Sequence, residues 1–265
     1  MRTRRGGSRT TMKATSRRRV LSLAVTLTVL PAGAACGHHA NAASPAAATA
    51  APPATDAPGS RLVVTTDNGL RLRPTDGHRV TVDDRVDAEW SHRGRTWTLD
   101  LSCRDGARTD RSCPRMPYVK VPDGLSVTVS ARNAGIDAAG VAAALDLTTV
   151  NGDMTVTRSG RKDASVRLAT RNGSVHARDL GARRVRAATT NGDVVLACAT
   201  APSSVTATTT NGSVDVTVPH GAPAYRVTAT TDNGRATTDL PTSEARRGPD
   251  MTLTTVNGDV GARLG

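Results

Sequence analysis

Residues 185–194 read Val-Arg-Ala-Ala-Thr-Thr-Asn-Gly-Asp-Val, and this stretch decides the fold. Apolar or small residues alternate at Val185, Ala187 and Thr189, the pair Asn191-Gly192 follows, and the apolar phase resumes at Val194. Period-two alternation in β-branched residues reads as a half-buried strand, so the unit is strand, corner, strand. The same unit surrounds Asn151-Gly152, Asn172-Gly173, Asn211-Gly212, Asn233-Gly234 and Asn257-Gly258, with a further pair at Asn68-Gly69 and a split copy at Asn133-Ala134-Gly135. From Asn133 onward the steps are 18, 21, 19, 20, 22 and 24 residues. A fixed motif on a drifting period near 20 marks a repeat architecture, in which each unit buries its apolar face by stacking on its neighbours.

The Asn shares the parity of the inward residues, so the alternation predicts that it points into the interior at the corner. Equivalent side chains at Asn68, Asn133, Asn151, Asn172, Asn191, Asn211, Asn233 and Asn257 then form a structural ladder, each amide bonded to the next. Gly follows because the corner needs a residue that tolerates positive φ. The predicted fold class is all-β, a parallel β-solenoid of roughly 20-residue Asn-Gly repeats. The alternative is an antiparallel barrel or sandwich of hairpins, since Asn-Gly is also the strongest short hairpin signal.

Residues 1–35 carry eight Lys or Arg and no acid, then the apolar run from Val20 to Leu30 and small residues up to Cys36. This is a signal peptide, whose apolar run is too short to span a bilayer. Ser16-Arg17-Arg18-Arg19-Val20-Leu21 resembles a twin-arginine export signal, and Met12 is an alternative start to Met1. Ala34-Ala35-Cys36 resembles a lipobox, whose Cys36 becomes the lipid-modified first residue; Gly33 departs from the aliphatic residue usual there. The alternative is ordinary cleavage at a small-x-small site, which leaves a secreted chain. Residues 36–60 are rich in Ala, Pro, Ser and Thr and read as a tether. His38 and His39 beside Cys36 do not make a closed metal site, and no metal or other cofactor is expected.

The precursor carries a net charge of +12, but beyond residue 35 it holds 27 Lys or Arg against 23 Asp or Glu, interspersed along the chain. That balance, with two Trp, two Tyr and no Phe, argues against nucleic acid as a partner.

The repeat domain spans 61–265, with an atypical part at 61–124 and regular repeats at 125–265. Strands are expected over His78–Val86, Arg95–Cys103 and Tyr118–Val121, as an elaborated first turn that closes one end of the stack. The last repeat, ending at Gly265, is expected to leave an uncapped edge strand. Cys103 and Cys113 bracket a polar, Arg-rich loop in an exported chain, which reads as a disulfide. Cys198 has the parity of Val194 and Leu196 and reads as a buried hydrophobe.

Cys36, the tether, Trp97-x-Leu-x-Leu-x-Cys103 with Cys113, Val119-Lys-Val-Pro-x-Gly124 and the Asn-Gly-Asp/Ser-Val units together resemble the bacterial putative-adhesin family of β-strand-repeat proteins. That family is a domain of unknown function frequent among exported lipoproteins. The resemblance covers residues 61–265 and implies a right-handed parallel β-solenoid. It carries over no functional residue.

The functional expectation is an envelope-anchored, non-enzymatic β-repeat lipoprotein on the outer face of the cell membrane. It is held there by a lipid at Cys36 and acts as a surface binding or adhesin-like module toward a glycan or protein. The alternative is a secreted carbohydrate-active β-helix enzyme, which would need clustered acids. After the Asn-Gly pairs come Asp153, Ser174, Asp193, Ser213, Arg235 and Asp259, and turn chemistry accounts for such a column without catalysis. No catalytic residue is assigned.

Overall fold

The computed structural model describes residues 59–84, 86–101, 116–245 and 247–265. The signal peptide, Cys36, nearly all of the tether, Cys103 and Cys113 lie outside the described residues.

Twenty strands and no helix make up the described part. The first eight are β1 (Arg61–Thr65), β2 (Leu70–Thr75), β3 (Thr81–Val82), β4 (Glu89–Arg93), β5 (Thr96–Asp100), β6 (Tyr118–Pro122), β7 (Ser126–Ser130) and β8 (Ile136–Ala139). Then come β9 (Leu145–Thr148), β10 (Met154–Thr157), β11 (Ser165–Ala169), β12 (Val175–Leu180), β13 (Arg184–Ala188) and β14 (Val194–Cys198). The last six are β15 (Ser204–Thr208), β16 (Val214–Val218), β17 (Arg226–Asn233), β18 (Ala236–Asp239), β19 (Asp250–Asn257) and β20 (Val260–Leu264).

Each repeat contributes one strand to each of two ten-stranded sheets, so the fold is a parallel β-solenoid and not a set of hairpins. Inward residues of the strands are mainly apolar, and the buried ones form one continuous core, as the alternation requires. In the first sheet the inward column reads Leu99, Val64, Val129, Leu147, Leu168, Ala187, Ala207, Leu253, Ala229.

That column exposes a feature the repeat period does not announce: the rungs stack out of chain order at both ends. The first sheet runs β17-β19-β15-β13-β11-β9-β7-β1-β5-β4, and the second runs β18-β20-β16-β14-β12-β10-β8-β2-β6-β3. The rung β1–β2 lies between β5–β6 and β7–β8, and the last rung, β19–β20, lies between β15–β16 and β17–β18.

Volume explains the second inversion. In chain order Ala187, Ala207 and Ala229 would follow one another and leave the interior underfilled, whereas threading sets Leu253 between Ala207 and Ala229. Met251 and Leu253 are thereby fully buried, and the weakly apolar rung, with Val227, Ala229 and Thr231 only half-buried and Ala236 and Thr238 exposed, takes the solvent end. The expected uncapped edge is therefore not at Gly265. It is β17 and β18, since the final repeat is covered on both sides.

The segment 61–124 also differs from an elaborated turn. It supplies a complete further rung, β5–β6, and the strand β4 that the period reading missed. β4 pairs antiparallel with β5, and β3 pairs antiparallel with β6. Reversing direction ends the parallel ladder, and Trp90 meets Trp97 edge-on at 6.5 Å while His92 lies 4.1 Å from the Trp97 ring.

Candidate functional site

The Asn-Gly corner carries three parallel hydrogen-bond columns, and they show what its residues do. The amide column comes first: Nδ2 of Asn172 donates to Oδ1 of Asn151, Asn191 to Asn172, Asn211 to Asn191, Asn257 to Asn211 and Asn233 to Asn257, at 2.8–2.9 Å. Asn133 and Asn68 continue the backbone register on the next two rungs, through Asn151 N–H to Arg132 C=O and Asn133 N–H to Asp67 C=O. The amide-to-amide chain itself starts at Asn151. The Asn residues of the amide chain, Asn151 to Asn233, are exposed, not inward as parity suggested. Strand parity does not carry across the corner, which the chain turns at Gly152, Gly173, Gly192, Gly212 and Gly258 with φ between 141° and 147°.

The inward polar group is the threonine two residues before the Asn, present at every rung of the column except that of Asn133, which has Ala131. Thr149, Thr170, Thr189, Thr209 and Thr255 are buried, and each hydroxyl donates to a corner carbonyl of the adjoining rung, Ala134, Gly152, Gly173, Gly192 and Gly212 respectively, at 2.8–3.0 Å. Thr231 does the same toward Gly258 at 2.8 Å. Sequence reading took these threonines as small inward residues and missed the hydroxyl's role; their recurrence at one offset was the available signal.

The third column is the residue after Gly. The N–H of Ser174 donates to Oδ1 of Asp153, Asp193 N–H to Oγ of Ser174, Ser213 N–H to Oδ1 of Asp193, Asp259 N–H to Oγ of Ser213 and Arg235 N–H to Oδ1 of Asp259, at 2.8–3.2 Å. The sequence reading assigned this column to local turn chemistry, but the bonds run between rungs. In threaded order it alternates Asp and Ser without interruption and ends on Arg235, which has no acceptor to offer a further rung. Alternation also keeps carboxylates from facing each other across adjacent strands, where like charges destabilise.

Cys198 is buried, and loss of solvent pushes its thiol up to about 12, so it is a packing residue and not a nucleophile at neutral pH. Tyr225, fully buried beside it, is likewise pushed up to about 12, first by loss of solvent and then by its proximity to Cys198, and its hydroxyl donates to the carbonyl of Pro202 at 2.8 Å.

Two surface hollows stand out. One, of about 480 Å³, lies where β3 meets β6 and is lined by Asp83, Asp84, Tyr118 and Lys120 among others. The other, of about 360 Å³, crosses the outer face of the first sheet from Arg61 to Arg184 and Arg186. Its setting corrects the expectation of interspersed charge: residues 158–186 hold nine Lys or Arg and two Asp, whereas the rest of the chain beyond residue 35 holds 18 basic and 21 acidic residues. Stacking gathers that excess onto consecutive rungs, where Arg167 faces Arg186 directly across β11 and β13.

A chain of two-strand rungs, cornered by Thr, Asn and Asp/Ser ladders, defines a β-solenoid of the strand-repeat class. A family model described as Toastrack DUF4097 matches residues 121–262, and the chain belongs to that family. No curated protein matches the chain. Two solved structures align with it: a putative cell adhesion protein from Clostridium sporogenes ATCC 15579, at 8% identity over 78% of this chain and 94% of that one with a TM-score of 0.37, and a putative adhesin from Bacteroides fragilis NCTC 9343, at 12% identity over 78% and 93% with a TM-score of 0.37.

Proposed function

We propose that the protein is a non-enzymatic binding module of the cell envelope, a rigid β-repeat rod exported by its N-terminal signal, anchored by a lipid at Cys36 and held off the membrane by the Ala/Pro-rich tether. The observation that carries the non-enzymatic part is the fate of the repeat's acids. Asp153, Asp193 and Asp259 recur on one corner as a glycoside hydrolase would need, yet each accepts a backbone N–H from the adjoining rung. These carboxylates are occupied in holding one rung to the next, which accounts for their recurrence without a catalytic role.

Stiffness supports the rod. Every interior rung is tied to both neighbours by two strand ladders and up to three corner bonds, each hydrogen bond worth about 0.5–1.5 kcal/mol net. The outer sheet faces are continuous strand surfaces, suited to binding through many weak contacts spread over several rungs.

The anchor is tested by the mass of the N-terminal peptide of the protein recovered from cell fractions. The expected result is Cys36 as first residue, bearing diacylglycerol, in the membrane fraction. A chain in the medium that begins at Ala35 or Ala43 without lipid would refute the anchor and leave a released module.

A further inference from the structure

The hollow on the outer face of the first sheet has the chemistry of a ligand site. Its two ends are basic. Arg61 stands on β1, while Arg184 and Arg186 stand on β13, with β7, β9 and β11 between them. Four strand spacings of about 4.8 Å put the ends roughly 19 Å apart along the solenoid axis.

Between the ends the lining is small and hydroxylated, with Ser126, Thr128, Ala144 and Ser165, and the one acid is Asp146, whose Oδ1 lies 3.9 Å from Nε of Arg167. The arginines at the β13 end are not accounted for by the fold. Arg184 and Arg186 are exposed, and among the described residues neither has an ion-pair partner.

Arg186 moreover faces Arg167 across adjacent strands, an arrangement of like charges that costs stability. The next rung shows that the solenoid does not require it, because Ser204 and Thr206 occupy the same two positions on β15. Beside this end, Arg183 and Arg184 donate their backbone N–H groups to the carbonyl of Ala164, which brings alongside the loop bearing Lys162 and the ion pair of Arg161 with Asp163, adding one net positive charge. A concentrated positive charge that packing does not need, at one end of a shallow trough, marks a surface for an anion.

We propose that this trough binds a linear acidic glycan, a polysaccharide whose carboxylates are separated by uncharged sugar hydroxyls, lying along the solenoid axis. The proposal rests on the binding-module reading and names the ligand class for it. Arg184 and Arg186 engage one carboxylate, for which the planar guanidinium fork is suited, and Arg61 engages another at the far end. The hydroxyls of Ser126, Thr128 and Ser165 meet the sugar hydroxyls between them.

Midway along the trough Asp146 stands beside Arg167, so the centre has no excess positive charge to hold a polymer charged at every unit, such as polyphosphate or a nucleic-acid backbone, while both side chains can bond sugar hydroxyls. Base stacking is not provided for either, since no Trp or Tyr lies among the trough's residues.

The test is equilibrium binding of the full processed protein to hyaluronan oligosaccharides, which alternate a uronate with an uncharged sugar, against dextran, polyphosphate and duplex DNA. The double variant R184S/R186T copies the next rung and so preserves the fold. The expected result is salt-sensitive binding to hyaluronan, weakened at least tenfold in R184S/R186T, unchanged in R178T on the opposite sheet, and undetectable for dextran.

Wild-type protein that ignores hyaluronan, equal binding by R184S/R186T, or tighter binding to polyphosphate or DNA would each overturn the proposal. Binding to isolated envelope fragments separates the two levels. If wild type and R184S/R186T adhere equally, the module stands and this trough is not its site; if wild type does not adhere, the module reading itself fails.

Discussion

Replacing Gly192 by Ala is expected to destabilise the protein by about 3 kcal/mol or more, measured as a loss of folding free energy in urea. Two costs add. Gly192 has φ +142°, a conformation that side chains rarely adopt. Its Cβ would also collide with the backbone carbonyl of Gly173 on the adjoining rung, a group that cannot swing away because its neighbours are ladder-bonded on both sides.

The chain contains its own control. Ala134 occupies the equivalent place on the rung β7–β8, without positive φ, and its methyl faces Gly69 on a rung whose corner is one residue shorter. Alanine is therefore accommodated where the adjoining corner is contracted, and Gly192→Ala has no such relief. A urea midpoint for Gly192→Ala equal to wild type would show that the corners can separate.

The second large effect concerns the threaded end. Leu253→Ala is expected to cost about 2–5 kcal/mol, the range for a buried leucine whose cavity cannot collapse, because Leu253 fills the space over two alanines, Ala207 and Ala229. Val227→Ala, one rung further out and half-buried, should cost only about 1 kcal/mol. Had the rungs stacked in chain order, β19–β20 would be terminal and the ranking would reverse. Thermal or urea unfolding of the two variants side by side reads the difference.

These examples show what the sequence made legible and what it did not. Strand, corner and solenoid were visible because period-two alternation and a recurrent turn residue are local, and every unit repeats them. Rung order was not, because each repeat offers the same alternation and any repeat can pair with any other. Yet two non-local signals were present in the residues. Arg235 breaks the Asp/Ser alternation only in chain order, and Ala229 and Leu253 have complementary volumes only when adjacent.

The orientation of the Asn side chains was misjudged for a different reason: parity holds along an extended strand, and β13 ends at Ala188, with the chain already bending at Thr190 before Asn191. The basic trough was hidden in another way. Arg61 is more than a hundred residues from Arg184, and only stacking of intermediate rungs brings them onto one face.

Contacts between rungs, not order along the chain, build both the core and the outer face. Engineered disulfides test it most directly. Thr206 lies opposite Thr252 on adjoining strands, about 4.8 Å apart and within disulfide reach, whereas Thr228 lies one strand further, at roughly twice that distance and beyond reach. Oxidation of Thr206→Cys/Thr252→Cys should yield the crosslink in peptide mapping, and Thr206→Cys/Thr228→Cys should not. A crosslink between positions 206 and 228, with none between 206 and 252, would contradict the threaded order.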